Sequence, residues 1–232
     1  MADRLIVLDT ETTGLNAKLG DRVIEIGCVE LLSRRVTERN FHSYLNPERD
    51  IEEGAAKVHG LTREFLSDKP RFAEIASDFL DYLRGAELVI HNAGFDVEFL
   101  DQELALAGLG KLADHAAGVT DTLAIARELH PGKRNSLDAL CERYGVDNAH
   151  RTLHGALLDA RLLAEVYLAM TRGQDSLAMD IEDAAAGAAG AARLDVSKLV
   201  VLRASDEEAA AHEKYLERME KEAKKGIVWR RG

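Results

Sequence analysis

One short apolar run near the N-terminus constrains the fold more than any other feature of the sequence. Residues Arg4–Thr10 read RLIVLDT, so four apolar side chains, including the β-branched Ile6 and Val7, stand directly before an acid. Such a run, closed by Gly14, is typical of a strand buried on both faces. A central strand needs neighbouring strands and covering helices, so the run predicts a layered α/β domain.

Residues 1–172 continue with the pattern of one compact α/β domain. Two more strands follow in succession, which predicts an antiparallel meander, and short buried strands then alternate with amphipathic helices. The predicted strands after the first are Arg22–Leu32, Asn40–Leu45, Glu87–His91 and one that ends near Val119. The predicted helices span residues 52–58, 72–83, 92–107, 121–129, 136–144 and 155–170.

Composition excludes several classes of protein. Of the 232 residues 46% are hydrophobic, and no apolar run approaches the roughly 18 residues that a membrane span requires. The N-terminal apolar run is also too short for a secretory signal. The two cysteines, Cys28 and Cys141, match no metal-ligand spacing and form no disulfide framework. We therefore expect a cytoplasmic protein with no membrane partner.

The net charge of −11 argues against a free-standing nucleic-acid binder, because phosphate contacts require Lys and Arg. Residues 1–172 hold 29 acids and 20 bases, so −9 of the charge lies there. Either the substrate is not a polyanion, or metal ions and a partner offset the repulsion. Composition does not choose between these alternatives.

A change in amino-acid composition after residue 172 predicts a linker over residues 173–193. Its second half, Asp183–Arg193, is a low-complexity Ala/Gly segment without an apolar stripe, which is typical of a flexible connection. An Ala-rich helix is the alternative, but Gly187 and Gly190 would each cost such a helix about 1 kcal/mol.

The last segment, residues 194–232, predicts a tail that orders on a partner. It contains a charged helical stretch, Ser205–Ala223, that opens with a capping signature, and the only tryptophan, Trp229, lies near its end. A lone Trp in a small charged tail cannot build a core of its own.

The first candidate site lies where the N-terminal strand ends. Side chains alternate along a strand, so Asp9 and Glu11 point to the same side. Two crowded carboxylates repel each other unless a cation lies between them, and hard divalent ions prefer such oxygen ligands. The alternative is a strand end that turns into solvent.

Two more acids follow at the starts of predicted helices. Asp96 lies in a first helical turn, where the helix dipole alone would favour an acid. His154 and Asp159 are five residues apart and would diverge by about 140° on one helix, so they converge only if His154 precedes the helix. Asp159 interrupts an apolar stripe, and a buried carboxylate there needs a partner. A polar boundary residue is the alternative.

Four acids and one histidine in this order suit hydrolysis of a phosphodiester with two divalent cations. Carboxylates would hold two Mg²⁺, or Mn²⁺, about 4 Å apart, and His154 would take the proton of the attacking water.

The segments Asp9–Gly14, Asn92–Asp96 and His154–Asp159 resemble the three exonuclease motifs of the DnaQ-like 3′→5′ exonucleases, the DEDD superfamily with histidine. Within that superfamily, residues 1–172 are similar throughout to the proofreading (epsilon) subunits of bacterial DNA polymerase III. The similar segments between the motifs are Val58–Thr62, Arg84–Asn92 and Pro131–Asp138.

The resemblance implies a ribonuclease H-like fold, a mixed five-stranded sheet flanked by helices, and a removal of mispaired 3′-terminal nucleotides of DNA as 5′-monophosphates. It makes Asp9, Glu11 and Asp159 metal ligands, with Asp96 acting on the second cation largely through water and His154 as the base. The implied substrate contacts are Thr12, Thr13, Leu15, Phe95 and His59, of which His59 is as well explained by a structural or partner-facing role.

The C-terminal segments also resemble that family. Residues 174–179 are similar to a sliding-clamp-binding peptide, with Gln174 and Leu177 matching and Met179 in place of a phenylalanine. Residues 194–232 are similar to the segment that binds the polymerase (alpha) subunit, with Trp229 as an anchor. The implied partners are a primer 3′ end, the alpha subunit, the beta sliding clamp and a small theta-like subunit.

Two rival functions remain open at this point. A free-standing 3′→5′ exoribonuclease of the same superfamily would carry the same acids, because these acids position metals and do not distinguish sugars. A non-catalytic adaptor between clamp and polymerase would need only the tail.

Overall fold

The computed structural model describes residues 4–149, 151, 153–172 and 204–222. Residues 4–172 belong to one compact unit and residues 204–222 to another. The predicted linker, the clamp-like peptide at 174–179 and Trp229 lie outside the described residues. No helix among the described residues is long and apolar enough to cross a membrane.

A five-stranded mixed sheet in the order β3-β2-β1-β4-β5 forms the centre of the first unit, as predicted. The apolar run of the sequence is its middle strand. β1 pairs antiparallel with β2, and β2 pairs antiparallel with β3, which is the predicted meander, whereas β1, β4 and β5 run parallel. The strands are β1 Arg4–Thr12, β2 Val23–Leu32, β3 Arg35–Tyr44, β4 Glu87–Ile90 and β5 Gly118–Asp121.

The helices of this unit agree with the predicted ones to within two residues at either end, and three short helical turns were not predicted. The helices are α1 Glu53–His59, α2 Arg63–Leu66, α3 Phe72–Leu83, α4 Ala93–Leu106, α5 Thr122–Leu129, α6 Leu137–Tyr144 and α7 Ala156–Met170. The turns that the sequence analysis missed are α2 and the 3₁₀ helices Ala17–Leu19 and Leu112–Asp114.

The predicted third strand was too short at its N-terminal end. β3 begins five residues earlier, at Arg35, and its first half is polar and largely exposed. A two-residue turn with positive φ at Ser33 and Arg34 joins it to β2, which is the backbone twist that favours a tight hairpin. Pairing with β2, and not burial, therefore holds this edge strand, so no apolar pattern marks it.

Each face of the sheet carries its own apolar core. Ile6 and Leu8 pack with residues of α3 and α4, whereas Leu5 and Val7 pack with residues of α6 and α7. Alternate side chains of β1 thus point into different cores, which explains why the whole run is apolar. Side chains at the C-terminal end of β1 are consequently directed either toward α4 or toward α7.

The start of α7 lies directly on the sheet at Gly27. A Cβ atom added to Gly27 would lie 2.2 Å from the backbone of both Ala156 and Leu157, so no larger residue fits without moving the helix. Gly27 is the partner of Asp9 in the pairing of β1 with β2. This contact therefore places the first turn of α7 beside the end of β1.

The second unit contributes one described helix, α8, at Asp206–Glu222. Ser205 caps it as the sequence predicted. Its Oγ accepts a hydrogen bond from the backbone N–H of Glu208 at 3.2 Å, and the Glu208 carboxylate accepts one from the Ser205 N–H at 2.9 Å.

Candidate active site

The acids and the histidine singled out in the sequence line one cavity of about 270 Å³ at the C-terminal end of β1. Asp9 and Glu11 extend the row of side chains that begins with Leu5 and Val7, so they are directed toward α7. The pairing with β2 becomes irregular between Glu11 and Thr12. Irregularities of this kind re-aim side chains at the ends of strands and are common beside active sites.

The loop after β1 is held by a buried acid. Asp21 accepts hydrogen bonds from the Thr13 hydroxyl and from the Asn16 backbone N–H, each at 3.0 Å. A Cβ atom at Gly14 would lie 2.5 Å from the Asp21 carboxylate, so the glycine of this motif makes room for that acid. The loop is thereby fixed in the position where β1 delivers its two carboxylates.

Asp96 reaches the cavity from the other face of the sheet. Asn92, in the left-handed conformation with a φ of 65°, turns the chain from β4 into α4, and asparagine tolerates that conformation better than most residues. Asp96 lies in the first turn of α4. Its carboxylate accepts hydrogen bonds from the Thr10 N–H at 3.1 Å and the Thr10 hydroxyl at 2.7 Å. These bonds fix the carboxylate at the end of β1.

His154 precedes α7, as convergence with Asp159 requires. Its backbone N–H donates to the carbonyl of Val58 at 3.1 Å, and Asp159 lies in the first turn of the helix. One ligand atom each from Glu11, His154 and Asp159 lies within 4.8 Å of the others. Glu11 at the end of β1 and Asp159 in α7, which are far apart in sequence, thus lie close together.

Burial and mutual repulsion perturb the carboxylates strongly. Burial, followed by the charges of Asp96, Glu11 and Asp159, raises the pKa of Asp9 well above its usual value. Burial and the charge of Asp159 raise the pKa of Glu11 to about 8. The cavity therefore resists the ionisation of both Asp9 and Glu11 unless positive charge enters it.

Burial also raises the pKa of Asp96, to about 7, although the hydrogen bonds from Thr10 oppose that shift. A carboxyl group that is only partly ionised near neutral pH is poised to change its charge when its surroundings change.

A cation from the chain itself lies among these groups. The guanidinium of Arg151 donates to both oxygens of Asp159, each at 2.6 Å, and to Asp138 at 2.5 Å. It also lies 2.9 Å from Nδ1 of His154. Burial disfavours its charge, but the bonds to Asp159 and Asp138 raise the pKa of Arg151, so it is a permanent cation.

The donor set fits hard divalent cations. Its atoms are carboxylate oxygens and an imidazole nitrogen, the pKa values of Asp9 and Glu11 are raised, and no thiol belongs to the group. A cation between these oxygens would relieve the repulsion that raises the pKa values.

Comparison with known proteins identifies the family to which this site belongs. Residues 6–167 match the family model described as Exonuclease. Over 98% of its length the chain is 53% identical to the DNA polymerase III subunit epsilon of Escherichia coli (strain K12), of which it covers 97%. The chain belongs to the family of DNA polymerase III epsilon subunits. The epsilon subunits of Haemophilus influenzae and Rickettsia conorii are 48% and 44% identical to it, over 98% and 95% of the chain and 94% and 98% of their own lengths.

Solved structures place the epsilon-family domain among nuclease folds. The chain superposes on Exonuclease X in a complex with 5′ overhanging duplex DNA, with a TM-score of 0.57 and 25% identity over 73% of this chain and 92% of that one. An Escherichia coli exonuclease I–single-stranded DNA complex gives a TM-score of 0.65 at 18% identity, over 75% of this chain and 42% of that one. The predicted ribonuclease H-like exonuclease fold is confirmed.

The epsilon-family residues predicted to contact the substrate lie at different depths. Phe95 lines the cavity, and Leu15 is 81% exposed on the loop after β1. The hydroxyls of Thr12 and Thr13 are buried and donate to the Gly14 carbonyl and to Asp21. Their contacts with a nucleotide stay predictions.

His59 is buried at the end of α1, with 5% of its surface exposed. Its Nδ1 accepts a hydrogen bond from the Leu61 N–H at 3.0 Å. Its Nε2 is buried without a hydrogen-bond partner among the described residues. Burial lowers the pKa of the ring. The substrate contact that the epsilon family implies for His59 also stays a prediction.

Sequence reasoning missed several residues that line the cavity, among them Ser136, Asp138 and Arg151. Ser136 and Asp138 belong to a segment that resembles the epsilon family, but nothing in their spacing marks a site. Arg151 stands three residues before His154, on a loop whose path no periodicity predicts. One signal was available: a buried acid such as Asp159 needs a partner, and an arginine nearby in sequence is a candidate.

Proposed function

We propose that this chain is the proofreading 3′→5′ exodeoxyribonuclease of a DNA polymerase III core. The observation that carries the proposal is the convergence of Asp9, Glu11, Asp96, His154 and Asp159 on one cavity in an epsilon-family chain. The reaction adds water across the last phosphodiester bond, so that the P–O3′ bond breaks. The products are a nucleoside 5′-monophosphate and a strand with a new 3′ hydroxyl.

Asp9, Glu11 and Asp159 are the residues that would hold two divalent cations, Mg²⁺ or Mn²⁺, with Asp96 supporting the second one. When bound, such cations polarise the phosphoryl group and stabilise negative charge on the attacking and leaving oxygens. The chain supplies a fixed, partly buried array of oxygens. Because Thr10 and the β1–β2 pairing orient that array, the array needs little rearrangement during the reaction.

His154 is the general base of the proposal. Its side chain is 43% exposed, so the ring can face a substrate in the cavity. Its Nδ1 lies 3.2 Å from an Asp159 oxygen, a distance that allows Nδ1–H to donate and leaves Nε2 with its lone pair. A neutral histidine in that tautomer takes the proton of the attacking water at Nε2.

Basic side chains next to the cavity favour the binding of a polyanionic substrate. A second pocket shares His91 and Ser136 with the active-site cavity and is lined by Arg127 and Lys133. Arg134, also exposed, lines a third pocket with Lys133. Phosphates upstream of the terminal nucleotide would meet positive charge there, although the chain as a whole is acidic. Phe95, Thr12, Thr13, Leu15 and His59 would contact the terminal nucleotide itself.

The proposed protein partners rest on the resemblance of the chain to the epsilon family, above all on its C-terminal segments. Trp229 and the tail would bind the polymerase alpha subunit, Gln174, Leu177 and Met179 would bind the beta sliding clamp, and a small theta-like subunit would bind the domain. Tethering to a polymerase raises the effective concentration of primer ends, which offsets the weak intrinsic DNA affinity of an acidic chain. The location would be the cytoplasmic replisome.

Substrate preference tests the proposed activity directly. We would measure initial rates on a DNA primer–template with a mispaired 3′ terminus, on its paired counterpart and on RNA of the same sequence. We expect the mispaired DNA end to be removed fastest, because a mispaired base costs least to unstack. Cleavage of RNA alone would establish the exoribonuclease, and cleavage of none of them would favour the non-catalytic adaptor.

Truncation after Thr171 tests the proposed partners. The shortened chain keeps the sheet and both apolar cores, so we expect it to hydrolyse single-stranded DNA at the rate of the full chain. We also expect it to lose its association with the alpha subunit in size-exclusion chromatography. Retained tight association would contradict the assignment of the tail, and Trp229→Ala in the full chain would then locate the contact.

A further inference from the structure

Arg151 lines the candidate active-site cavity, and the proposed hydrolysis does not use it. Its side chain is 7% exposed and lies between the carboxylates of Asp159 and Asp138. Its two hydrogen bonds of 2.6 Å engage both oxygens of Asp159. This bidentate geometry is the strongest that an arginine and a carboxylate form.

The same oxygens are the ones that the proposed function assigns to a divalent cation. A carboxylate retains lone pairs when it accepts two hydrogen bonds, so geometry alone does not exclude both partners. Electrostatic repulsion opposes simultaneous binding of both partners, because a guanidinium and a divalent cation on one buried carboxylate repel each other strongly at low effective dielectric. Arg151 lies outside any helix or strand, between α6 and α7, so its side chain can leave without unfolding an element.

We propose that Arg151 is an internal counter-cation, which neutralises Asp159 and is exchanged for a divalent cation when the site binds one. The inference rests on the proposed cation-dependent function. It gives Arg151 two effects: the residue stabilises the acidic cluster in the absence of divalent cations, and it sets the affinity of the cluster for them by competing for Asp159.

The exchange also controls the proton on His154. While Arg151 donates to Nδ1 at 2.9 Å, Nδ1 must offer its lone pair, and a neutral ring then carries its proton on Nε2. That tautomer cannot accept a proton at Nε2. Once Arg151 leaves, Nδ1–H can donate to the Asp159 oxygen 3.2 Å away and Nε2 becomes the acceptor. Arg151 is thus a positioning residue that keeps the base inactive until a cation binds.

Calorimetric titration of the full-length protein with Mn²⁺ tests the competition. We expect Arg151→Ala to bind Mn²⁺ about tenfold more tightly than the wild type, which corresponds to about 1.4 kcal/mol. We expect Arg151→Lys, which keeps the charge but not the bidentate fork, to give an intermediate affinity. Arg143→Ala is the matched control, since Arg143 bonds to Asn135 and to the Arg134 carbonyl in the neighbouring loop and should leave the affinity unchanged.

Thermal unfolding in EDTA gives a second readout that needs no catalysis. We expect Arg151→Ala to melt at a lower temperature than the wild type and to gain more from added Mn²⁺, because its acids lack their counter-cation. Unchanged or weaker Mn²⁺ binding by Arg151→Ala, with a wild type that binds, would overturn this inference alone. No Mn²⁺ binding by any variant would overturn the proposed function as well.

The wild type itself provides a test should the alanine variant fail to fold. Nitrogen-15 NMR of the His154 ring distinguishes a proton on Nδ1 from one on Nε2. We expect the proton on Nε2 in EDTA and on Nδ1 after saturation with the diamagnetic Mg²⁺. A proton that stays on the same nitrogen would contradict the exchange.

Discussion

At the scale of single residues, the site is a set of acids that the fold holds too close together. The sequence was sufficient to identify Asp9, Glu11, Asp96, His154 and Asp159 as candidates, because their positions at the end of a strand or the start of a helix are local properties. The sequence could not predict the hydrogen bonds and ion pairs that hold these side chains in place. The hydrogen bonds from Thr10 to Asp96 and the approach of Arg151 to Asp159 join residues whose proximity depends on the completed sheet.

Glu11 makes the stability of the protein depend on pH. Its pKa in the folded chain, about 8, lies above its usual value of 4.5, so the folded state holds this proton more tightly than the unfolded state does. The resulting stabilisation is complete below about pH 4.5 and is lost as the pH rises through about 8. We expect the free energy of unfolding in EDTA, from urea titrations, to fall over this range.

The variant Glu11→Gln isolates this contribution. Its amide releases no proton, so its free energy of unfolding should fall less steeply with pH than that of the wild type and exceed it above pH 8. Added Mg²⁺ should reverse the order of the two proteins, since only the wild type keeps the full set of ligands. Parallel pH profiles for the two proteins would contradict the raised pKa.

At the scale of elements, the sequence predicted the helices and strands in which the spacing of apolar residues marks a buried face. The bounds of α3 are those that the apolar spacing of Phe72–Leu83 predicts, and β1 extends only two residues beyond its prediction. The first half of β3 was missed because an exposed edge strand is held by backbone pairing. The docking of α7 on Gly27 was also beyond prediction, since a glycine inside a strand has several explanations.

Gly27→Ala tests whether that docking positions the site. The added methyl group would lie 2.2 Å from the backbone of α7, so the first turn of the helix must move away from β2. We expect a loss of about 1–3 kcal/mol in unfolding free energy from overpacking. We also expect at least about a tenfold loss of nuclease rate, because displacements near 1 Å can cost roughly a hundredfold.

Gly54→Ala is the control for this substitution. Gly54 lies in α1 with open space where its Cβ would be, and alanine favours a helix by about 1 kcal/mol. The control should therefore keep its nuclease rate and be slightly more stable. A Gly27→Ala protein with wild-type activity would show that the position of α7 does not limit the site.

At the scale of the whole molecule, net charge was a poor guide to the substrate. A charge of −11 argues against binding to nucleic acid, yet the chain belongs to a family of polymerase subunits. The structure resolves part of this conflict, since a cluster of acids lines the cavity, Arg127 and Lys133 line the pocket that adjoins it, and Arg134 lines the next pocket. The average over a chain conceals such local separation of charge.

Cleavage of 5′-labelled single-stranded DNA is the first test of the proposed cation-dependent 3′→5′ exonuclease. The wild type and the double variant Asp9→Ala/Glu11→Ala would each be incubated with Mg²⁺ and with EDTA. We expect a ladder of labelled strands shortened from the 3′ end by the wild type in Mg²⁺, and intact DNA in the other three reactions. Shortening that persists in EDTA or in the double variant, or immediate release of the label as a mononucleotide, would contradict this proposal.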